Sequence, residues 1–298
     1  MVSRRAFLFG GAGLGAVAVA GGVGAVLVEE DVLPGKVAFD RAIGRCGSVP
    51  SPPGTPGVVQ TQTFSSRRRG TDVTAVVVLP AGVTSLRGLP VVVALHGNGG
   101  TGVSAASGLR LDRYLTEVVR TRGVPPFALV AVDGGPSSYW HRRASGEDPL
   151  GMIVDELLPR LRRQGASTDR FGVIGWSMGG YGALLLAETV GAPRMAAAVA
   201  SSPALFPSYD NARRTNRQAF DDAADFARND VFAGLGRLKG VPTRVDCGTS
   251  DPFAPMVRKL RTRLRPEGAM SGGCHDGAFW LPHLPDQLAF LGGHLHTR

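Results

Sequence analysis

The sequence of 298 residues predicts an α/β fold with a mostly parallel central sheet and helices on both faces. Three observations predict it. Short, continuous apolar runs are typical of strands covered on both faces, helical patterns alternate with those runs, and a long polar stretch at 203–240 precedes a late strand. Because ligands bind at the carboxyl edge of parallel strands, we expect residues 203–240 to form a helical excursion over a functional site.

The composition favours one globular domain with a short appendage. Hydrophobic residues make up 43% of the chain and charged residues 19%, which excludes a disordered chain and a polytopic membrane protein. The 42 glycines and 21 prolines follow no fixed period, which excludes collagen-like and repeat architectures. The net charge is +9, but the basic residues are dispersed apart from the run Arg67 to Arg69, so we expect no nucleic-acid partner.

The first 28 residues have the layout of an export signal, with a charged start followed by an uncharged stretch from Gly10 to Val28. Arg4 and Arg5 match the twin-arginine signature, which predicts the Tat translocase as a partner during export. Residues 10–28 could instead remain as a membrane tether. Both interpretations place the rest of the chain outside the cytoplasm, in the cell envelope or secreted.

Residues 29–57 read as a Pro/Gly-rich linker and residues 58–298 as the folded domain. The apolar runs predict strands at Val58 to Phe64, Val73 to Leu79, Val91 to Leu95, Phe127 to Val132, Phe171 to Gly175, Ala196 to Ala200 and Thr243 to Cys247. The intervening patterns predict helices at Leu109 to Arg122, Leu150 to Arg163, Gly180 to Val190, Arg217 to Leu238, Pro252 to Leu264 and Phe279 to Leu291.

The strongest motif is Gly175-Trp-Ser177-Met-Gly179, set between an apolar strand and an apolar helix. A serine that projects from a sharp strand-to-helix turn needs small residues on either side, because larger ones would clash with the neighbouring strand and helix. A phosphate-binding loop would need a different glycine pattern or a Gly-Lys-Ser ending, and neither is present. Ser177 is therefore a candidate nucleophile, which needs a histidine base and a carboxylate further along the chain.

Asp251 and His275 follow Ser177 in the expected order. Asp251 lies in a turn just after a predicted strand, although it could merely cap the following helix. His275 lies in a glycine-flanked loop before the last helical pattern. The acidic residues of the excursion are interpreted instead as solvated helix faces: Asp221, Asp222, Asp225 and Asp230.

The predicted strand at Val91 to Leu95 runs into the glycine loop His96-Gly-Asn98-Gly-Gly100. Such a loop brings the backbone close to a bound substrate, so the amide of Asn98, together with that of Met178, is a candidate oxyanion hole. A plain tight turn is the alternative interpretation.

The three cysteines lack the close Cys/His spacing of a zinc site, so we expect no metal, and no motif points to another cofactor. Outside the cytoplasm a disulfide is permitted. Cys247 and Cys274 are a candidate pair because both follow strands predicted to be adjacent, whereas Cys46 lies in the linker. Buried free thiols are an equal alternative.

Over about Val58 to Leu291 the sequence resembles the α/β-hydrolase esterases that include esterase D (S-formylglutathione hydrolase) and the exported mycolyltransferases. The resemblance rests on Leu95-His-Gly-Asn, Val132-Asp-Gly-Gly, Ser138-Tyr-Trp, Asp155-Glu-Leu-Leu-Pro, Gly175-Trp-Ser-Met-Gly-Gly-Tyr-Gly-Ala, Cys247-Gly-Thr-Ser-Asp-Pro-Phe and His275 with Phe279-Trp280. It implies the α/β-hydrolase fold. It also implies a Ser177, Asp251 and His275 triad, oxyanion positions at Asn98 and Met178, and a pocket for the acyl or alcohol group lined by Tyr139 and Trp140.

The sequence departs from the mycolyltransferase pattern because its carboxylate is Asp251 rather than Glu and its early loop begins His96-Gly97 rather than Asp-Gly. We therefore expect an exported serine esterase acting on carboxylic esters, such as those of envelope lipids or glycans. Two alternatives remain: an acyltransferase that moves acyl groups to sugar hydroxyls, and a noncatalytic envelope-binding protein.

Overall fold

The structure is a computed structural model, and it describes residue 40 and residues 42–296. The twin-arginine signal, the tether at 10–28 and the first part of the predicted linker lie outside the described residues. Within the described range, no helix combines the length and the apolar character needed to cross a bilayer.

The centre of the molecule is one eight-stranded sheet, in which five of the seven strand pairings are parallel. The strands are β1 (Val58–Ser66), β2 (Thr71–Leu79), β3 (Pro90–Leu95), β4 (Ala128–Val132), β5 (Ser167–Trp176), β6 (Met195–Ser201), β7 (Thr243–Gly248) and β8 (Met270–Ser271). Their order is β1-β2-β4-β3-β5-β6-β7-β8, and β2 runs antiparallel to both of its neighbours.

Ten helices are described around the sheet. They are α1 (Gly102–Gly108), α2 (Leu111–Thr121), α3 (Pro149–Met152), α4 (Leu158–Arg163), α5 (Met178–Arg194), α6 (Tyr209–Thr215), α7 (Ala223–Arg228), α8 (Val231–Gly234), α9 (Ala254–Leu264) and α10 (Gly277–Leu295). A π-helical stretch (Ile153–Leu157) joins α3 to α4, and a 3-10 turn (Leu235–Leu238) follows α8. Gly191 interrupts α5 with a backbone conformation outside the helical region.

The sheet is buried on both faces because its strands are apolar at successive positions. Along β3, Val91, Val93 and Leu95 face one apolar cluster, whereas Val92 and Ala94 face the other. The first cluster includes residues of α5 and α9, and the second includes residues of α2 and α10. The predicted α/β class with helices on both faces is confirmed.

The chain before β1 lies against the domain. Residues 47–57 form neither helix nor strand, and Arg113 of α2 donates hydrogen bonds to the carbonyl oxygens of Pro53 and Gly54 at 3.1 and 2.6 Å. Gly57 passes so close to β2 that a Cβ there would lie 2.2 Å from the carbonyl oxygen of Leu79.

The candidate disulfide between Cys247 and Cys274 is wrong. Cys274 is bonded to Cys46, which is 228 residues away in the sequence. Cys247 is a free, buried cysteine and belongs to the apolar cluster that covers the first face of the sheet. Strands β7 and β8 are adjacent, but adjacency does not fix the direction of the side chains, and the sulfur of Cys247 lies within the core.

The excursion differs from the predicted single helix at Arg217 to Leu238. It contains three short helices and a 3-10 turn. Ser208, Asp222 and Asp230 each cap one helix by accepting a hydrogen bond from a backbone amide. Two of the acidic residues interpreted as solvated are therefore caps, and a third, Asp225, is buried against Asn229 and Arg228.

Candidate active site

Ser177 stands at the turn between β5 and α5 with a backbone conformation that L-residues rarely adopt, φ 57° and ψ −118°. Three backbone hydrogen bonds hold this turn. The amide of Ser177 donates to the carbonyl oxygen of Ser201 at 3.0 Å, and its own carbonyl oxygen accepts from the amides of Tyr181 and Ala204 at 3.0 and 3.1 Å. The end of β6 therefore fixes the position of the serine.

The glycines on either side of Ser177 are required by close backbone packing. A Cβ on Gly175 would lie 2.0 Å from the carbonyl oxygen of Gly179, and a Cβ on Gly179 would lie 1.9 Å from that of Leu95. Both distances are far shorter than real contacts. The small residues expected at these positions thus allow β3, β5 and α5 to meet directly beneath the serine.

His275 contacts both Ser177 and Asp251. Its Nε2 lies 2.8 Å from Oγ of Ser177, and its Nδ1 lies 2.7 Å from Oδ2 of Asp251. In the tautomer that satisfies both contacts, the serine hydroxyl donates to Nε2 and Nδ1–H donates to the carboxylate. The structure therefore brings together three side chains that are far apart in the sequence.

The carboxylate of Asp251 is buried, and its other oxygen, Oδ1, accepts a hydrogen bond from the amide of Phe253 at 2.8 Å. This contact closes a turn before α9, whose N-cap is Phe253 and has no side-chain cap, so Asp251 does not cap that helix. The rings of Phe253 and Trp280 flank the imidazole of His275 edge-on, with centroid distances of 5.2 and 5.3 Å. These contacts leave the imidazole partly exposed.

Ser177 and His275 open into a cleft of about 530 Å³, a size typical of small-molecule sites. One wall is formed by the loop after β3 and by α1, a helix that was not predicted from the sequence. The opposite wall is formed by the start of α10. The lining residues are His96, Gly97, Asn98, Gly100, Ser104, Ala105, Gly108, Leu109, Trp176, Ser177, His275, Gly277 and Trp280.

The two positions predicted to form an oxyanion hole lie beside the serine. Met178 is the first residue of α5, and Asn98 lines the cleft. The loop that carries Asn98 passes close to the nucleophile, since a Cβ on Gly97 would be 3.5 Å from that of Ser177. The side-chain oxygen of Asn98 accepts hydrogen bonds from Ser137 and Asn216 at 2.7 and 2.8 Å, which ties this loop to the excursion.

His96 is a site residue to which the sequence analysis gave no role. Its imidazole is 1% exposed; Nδ1 contacts the carbonyl oxygen of Gly97 at 2.9 Å, and Nε2 accepts from the amide of Gly134 at 3.0 Å. Burial lowers the pKa of His96. Its position between a buried strand and a glycine loop could have indicated a role for His96. Its partner Gly134, however, lies in the loop after β4 and is distant in the sequence.

The expectation that Tyr139 and Trp140 line the substrate pocket is corrected by the structure. Trp140 is 0% exposed and Tyr139 is 3% exposed, and neither belongs to the cleft lining. Trp140 packs against Gly182 of α5, and its indole N–H donates to the carbonyl oxygen of His96 at 3.3 Å. Tyr139 packs among aromatic rings of α5 and the excursion, and burial raises its pKa to about 12. Both side chains therefore pack in the core beneath the loops of the site and do not line the cleft.

Among the described residues, no group of three or more His, Cys, Asp or Glu side chains is placed to hold a metal ion. The polar groups at the cleft include those of Ser177, His275 and the glycine loop with Asn98, and the side chain of Ser104 in α1. This arrangement is suited to attack by an activated hydroxyl on an electrophilic carbon, with backbone amides available for the oxygen that gains charge.

Comparisons with known proteins agree on the fold. A family model described as "Putative esterase" matches residues 66–288. A search of curated proteins gave no match.

Similar solved structures include a ferulic acid esterase, with 20% identity, a TM-score of 0.69, and coverage of 80% of this chain and 99% of the other. An S-formylglutathione hydrolase from Agrobacterium tumefaciens has 17% identity, a TM-score of 0.66, and coverage of 83% and 99%. Mycobacterium tuberculosis MPT51 (FbpC1) has 17% identity, a TM-score of 0.62, and coverage of 82% and 100%. Together with the sheet described above, these matches confirm the predicted α/β-hydrolase fold.

Proposed function

We propose, from the premise that this chain belongs to the esterase family and is an ester-hydrolysing enzyme, that it is an exported serine esterase whose nucleophile is Ser177. Its substrates would be carboxylic esters outside the cytoplasm, such as acylated lipids or glycans of the cell envelope. The hydrogen-bonded series Ser177, His275 and Asp251 is the observation that carries the proposal.

In the proposed reaction, Oγ of Ser177 attacks the ester carbonyl while Nε2 of His275 accepts the hydroxyl proton. Asp251 keeps Nδ1 protonated and stabilises the imidazolium that forms. The tetrahedral intermediate then breaks its bond to the alcohol oxygen, to which His275 returns the proton. Water, deprotonated by the same imidazole, attacks the acyl-enzyme and releases the carboxylic acid and the free serine.

The amides of Asn98 and Met178 would donate to the negatively charged oxygen of each tetrahedral intermediate. Support comes from their positions on either side of Ser177, one on the cleft wall and the other at the first turn of α5. A backbone donor of this kind contributes about 3 to 4 kcal/mol to the stabilisation of the transition state in comparable enzymes.

Export through the Tat translocase is proposed from the twin-arginine sequence at Arg4 and Arg5. The disulfide between Cys46 and Cys274 supports an extracytoplasmic location, because disulfides form and persist mainly in oxidising compartments. Retention of residues 10–28 as a membrane tether would keep the enzyme close to ester lipids.

The test is a chain-length series of p-nitrophenyl esters and a fluorophosphonate probe, applied to wild type and to Ser177→Ala. We expect the wild type to hydrolyse esters and to be labelled, and Ser177→Ala to lose both properties. Ser107→Ala is a matched control because Ser107 is an exposed serine of α1, the helix that borders the cleft, and should retain wild-type behaviour. Equal rates for wild type and Ser177→Ala would refute the assignment.

The same experiment separates the alternatives. Addition of sugar acceptors during turnover would give acylated sugar at the expense of free acid if the enzyme were an acyltransferase. A folded wild type that neither hydrolyses esters nor reacts with the probe would favour a noncatalytic envelope-binding protein.

A further inference from the structure

The loop that carries His275 has a backbone with unusual freedom. It begins at β8 and contains Gly272 and Gly273, the latter with φ 141°, before Cys274 and His275. Glycine has the largest range of accessible backbone conformations, so such a loop does not by itself define the position of its side chains. Nevertheless the imidazole must satisfy two contacts, at 2.8 Å to Ser177 and 2.7 Å to Asp251.

Two sets of backbone contacts hold the ends of this loop. The carbonyl oxygen of Gly273 accepts a hydrogen bond from the amide of Ser250 at 3.0 Å, and Asp276 caps α10. Between these points, the sulfur of Cys274 is bonded covalently to Cys46. Both cysteines are buried, so the bond is shielded from solvent.

Cys46 belongs to the segment that precedes the sheet, and this segment is itself fixed on the domain. Arg113 holds it at Pro53 and Gly54. It also reaches the rim of the cleft, because a Cβ on the cleft-lining residue Gly277 would be 3.9 Å from Cγ2 of Val49. The disulfide thus joins the histidine loop to an element that is attached independently to α2.

We propose that the disulfide between Cys46 and Cys274 positions His275 for proton transfer, so that the N-terminal segment is a working part of the active site. This inference rests on the proposed function of the triad. Cys46 and Cys274 are positioning residues that act through His275 and do not touch the substrate. Because a displacement of about 1 Å in a catalytic group can reduce the rate about 100-fold, loss of the covalent link is expected to affect turnover more than substrate binding.

The test compares wild type with Cys46→Ala and Arg113→Ala, at a temperature well below the unfolding midpoint of all three. Arg113→Ala is the comparison variant, because it loosens the attachment of the same segment to α2 and leaves the disulfide intact. Three quantities are measured: kcat and KM for a p-nitrophenyl ester, the rate constant of fluorophosphonate labelling, and the low-field proton NMR resonance of His275 Nδ1–H.

For Cys46→Ala we expect kcat and the labelling rate constant to fall by about 10- to 100-fold, KM to stay within about 2-fold, and the low-field resonance to broaden or vanish. For Arg113→Ala, which keeps the disulfide but loosens one attachment of the segment, we expect a lower unfolding temperature and a decrease in kcat clearly smaller than that of Cys46→Ala. If Cys46→Ala fails to fold, wild type reduced with tris(2-carboxyethyl)phosphine, with thiol release followed by mass spectrometry, is measured in the same way.

A Cys46→Ala protein with a lower unfolding temperature but wild-type kcat and resonance would overturn the inference and leave the disulfide a purely stabilising role. If wild type showed neither hydrolysis nor labelling, the proposed function would fail instead. The NMR comparison would then still decide whether the disulfide fixes the imidazole against Asp251.

Discussion

The imidazole of His96 accepts a hydrogen bond from the backbone amide of Gly134 at 3.0 Å, which joins the loop after β3 to the loop after β4. The first of these loops carries Asn98, the proposed oxyanion donor. Because Nε2 is an acceptor in this contact, the neutral imidazole donates through Nδ1 to the carbonyl oxygen of Gly97. A protonated His96 would have no acceptor for Gly134.

His96→Phe should therefore lower both stability and activity. It leaves the buried amide of Gly134 and the carbonyl oxygen of Gly97 without their partner, at a cost of about 1 to 3 kcal/mol for each unsatisfied group. We expect a lower midpoint of urea unfolding and a reduced kcat. His296→Phe, at an exposed position of the same residue type, should change neither quantity.

The same substitution should alter the pH dependence of stability. The pKa of His96 is lowered in the folded state, so below its ordinary value of 6.5 the unfolded state takes up a proton that the folded state does not. Its contribution is present above pH 6.5 and is lost as the pH falls from 6.5 through the folded pKa. Urea unfolding at pH 7.5 and 5.5 should show a smaller decrease for His96→Phe than for wild type, and an equal decrease would contradict this assignment.

Asp251→Asn should reduce kcat by about 10⁴-fold with little change in fold, the magnitude typical of this change in a Ser-His-Asp triad. The amide could still accept the hydrogen bond from Phe253, but its NH₂ group would force His275 into the tautomer that presents N–H to Ser177. Steady-state kinetics and far-UV circular dichroism test this expectation. Asp169→Asn, an exposed carboxylate paired with Arg162, is the control and should retain full activity.

Gly179→Ala should be strongly destabilising, because its Cβ would meet the carbonyl oxygen of Leu95 at 1.9 Å and backbone atoms cannot move aside easily. We expect a loss of about 3 kcal/mol or more, measured by thermal or urea unfolding. Gly293→Ala in α10 meets nothing within 4 Å and should stabilise the protein by about 0.5 to 1 kcal/mol through helix propensity. Similar effects for the two variants would disprove the packing argument.

Glu188→Gln should stabilise the protein at alkaline pH. Glu188 of α5 is 4% exposed, both of its carboxyl oxygens lack a hydrogen-bond donor, and burial raises its pKa to about 8. Arg237 at 3.8 Å offsets only part of this effect, and Asp230 adds to it. The wild type therefore loses stability as the pH rises from about 4.5 to about 8, because the unfolded state releases the proton of Glu188 before the folded state does. Glutamine does not ionise, so the variant avoids this loss.

Unfolding free energies of wild type and Glu188→Gln should therefore be similar near pH 5 and differ by about 4 kcal/mol near pH 8. Glu117→Gln, at a partly exposed carboxylate of α2 paired with Arg120, is the control, and its effect on the free energy of unfolding should be the same at both pH values. A constant difference between wild type and Glu188→Gln at both pH values would mean that ionisation of Glu188 is not its source.

The alternation of apolar strands and helices was sufficient to predict the central sheet, because strands covered on both faces are mostly apolar. Ser177, Asp251 and His275 could be selected from the sequence because each follows a strand at the same edge of the sheet. Their proximity follows from the topology, whereas their catalytic roles stay a prediction for the experiments above.

Features that depend on side-chain direction or on distant partners were not predictable. The pairing of Cys274 with Cys46 depends on how residues before β1 return to the last loop. The family resemblance placed Tyr139 and Trp140 at the substrate, yet both have positive φ values, 48° and 62°, and turn into the core. The excursion was too polar for a long buried helix, and its Ser and Asp caps divide it into short ones.

Those caps give the excursion a modular character that matters for protein engineering. Each of its three helices begins with its own side-chain cap, so residues 208–238 carry their local stabilisation with them. The backbone of Ser177 is tied to Ser201 and Ala204, which precede this stretch. Residues 208–238 are thus a locally stabilised cassette, and its exchange for the matching segment of a related scaffold would leave the backbone attachments of the nucleophile at Ser201 and Ala204 intact.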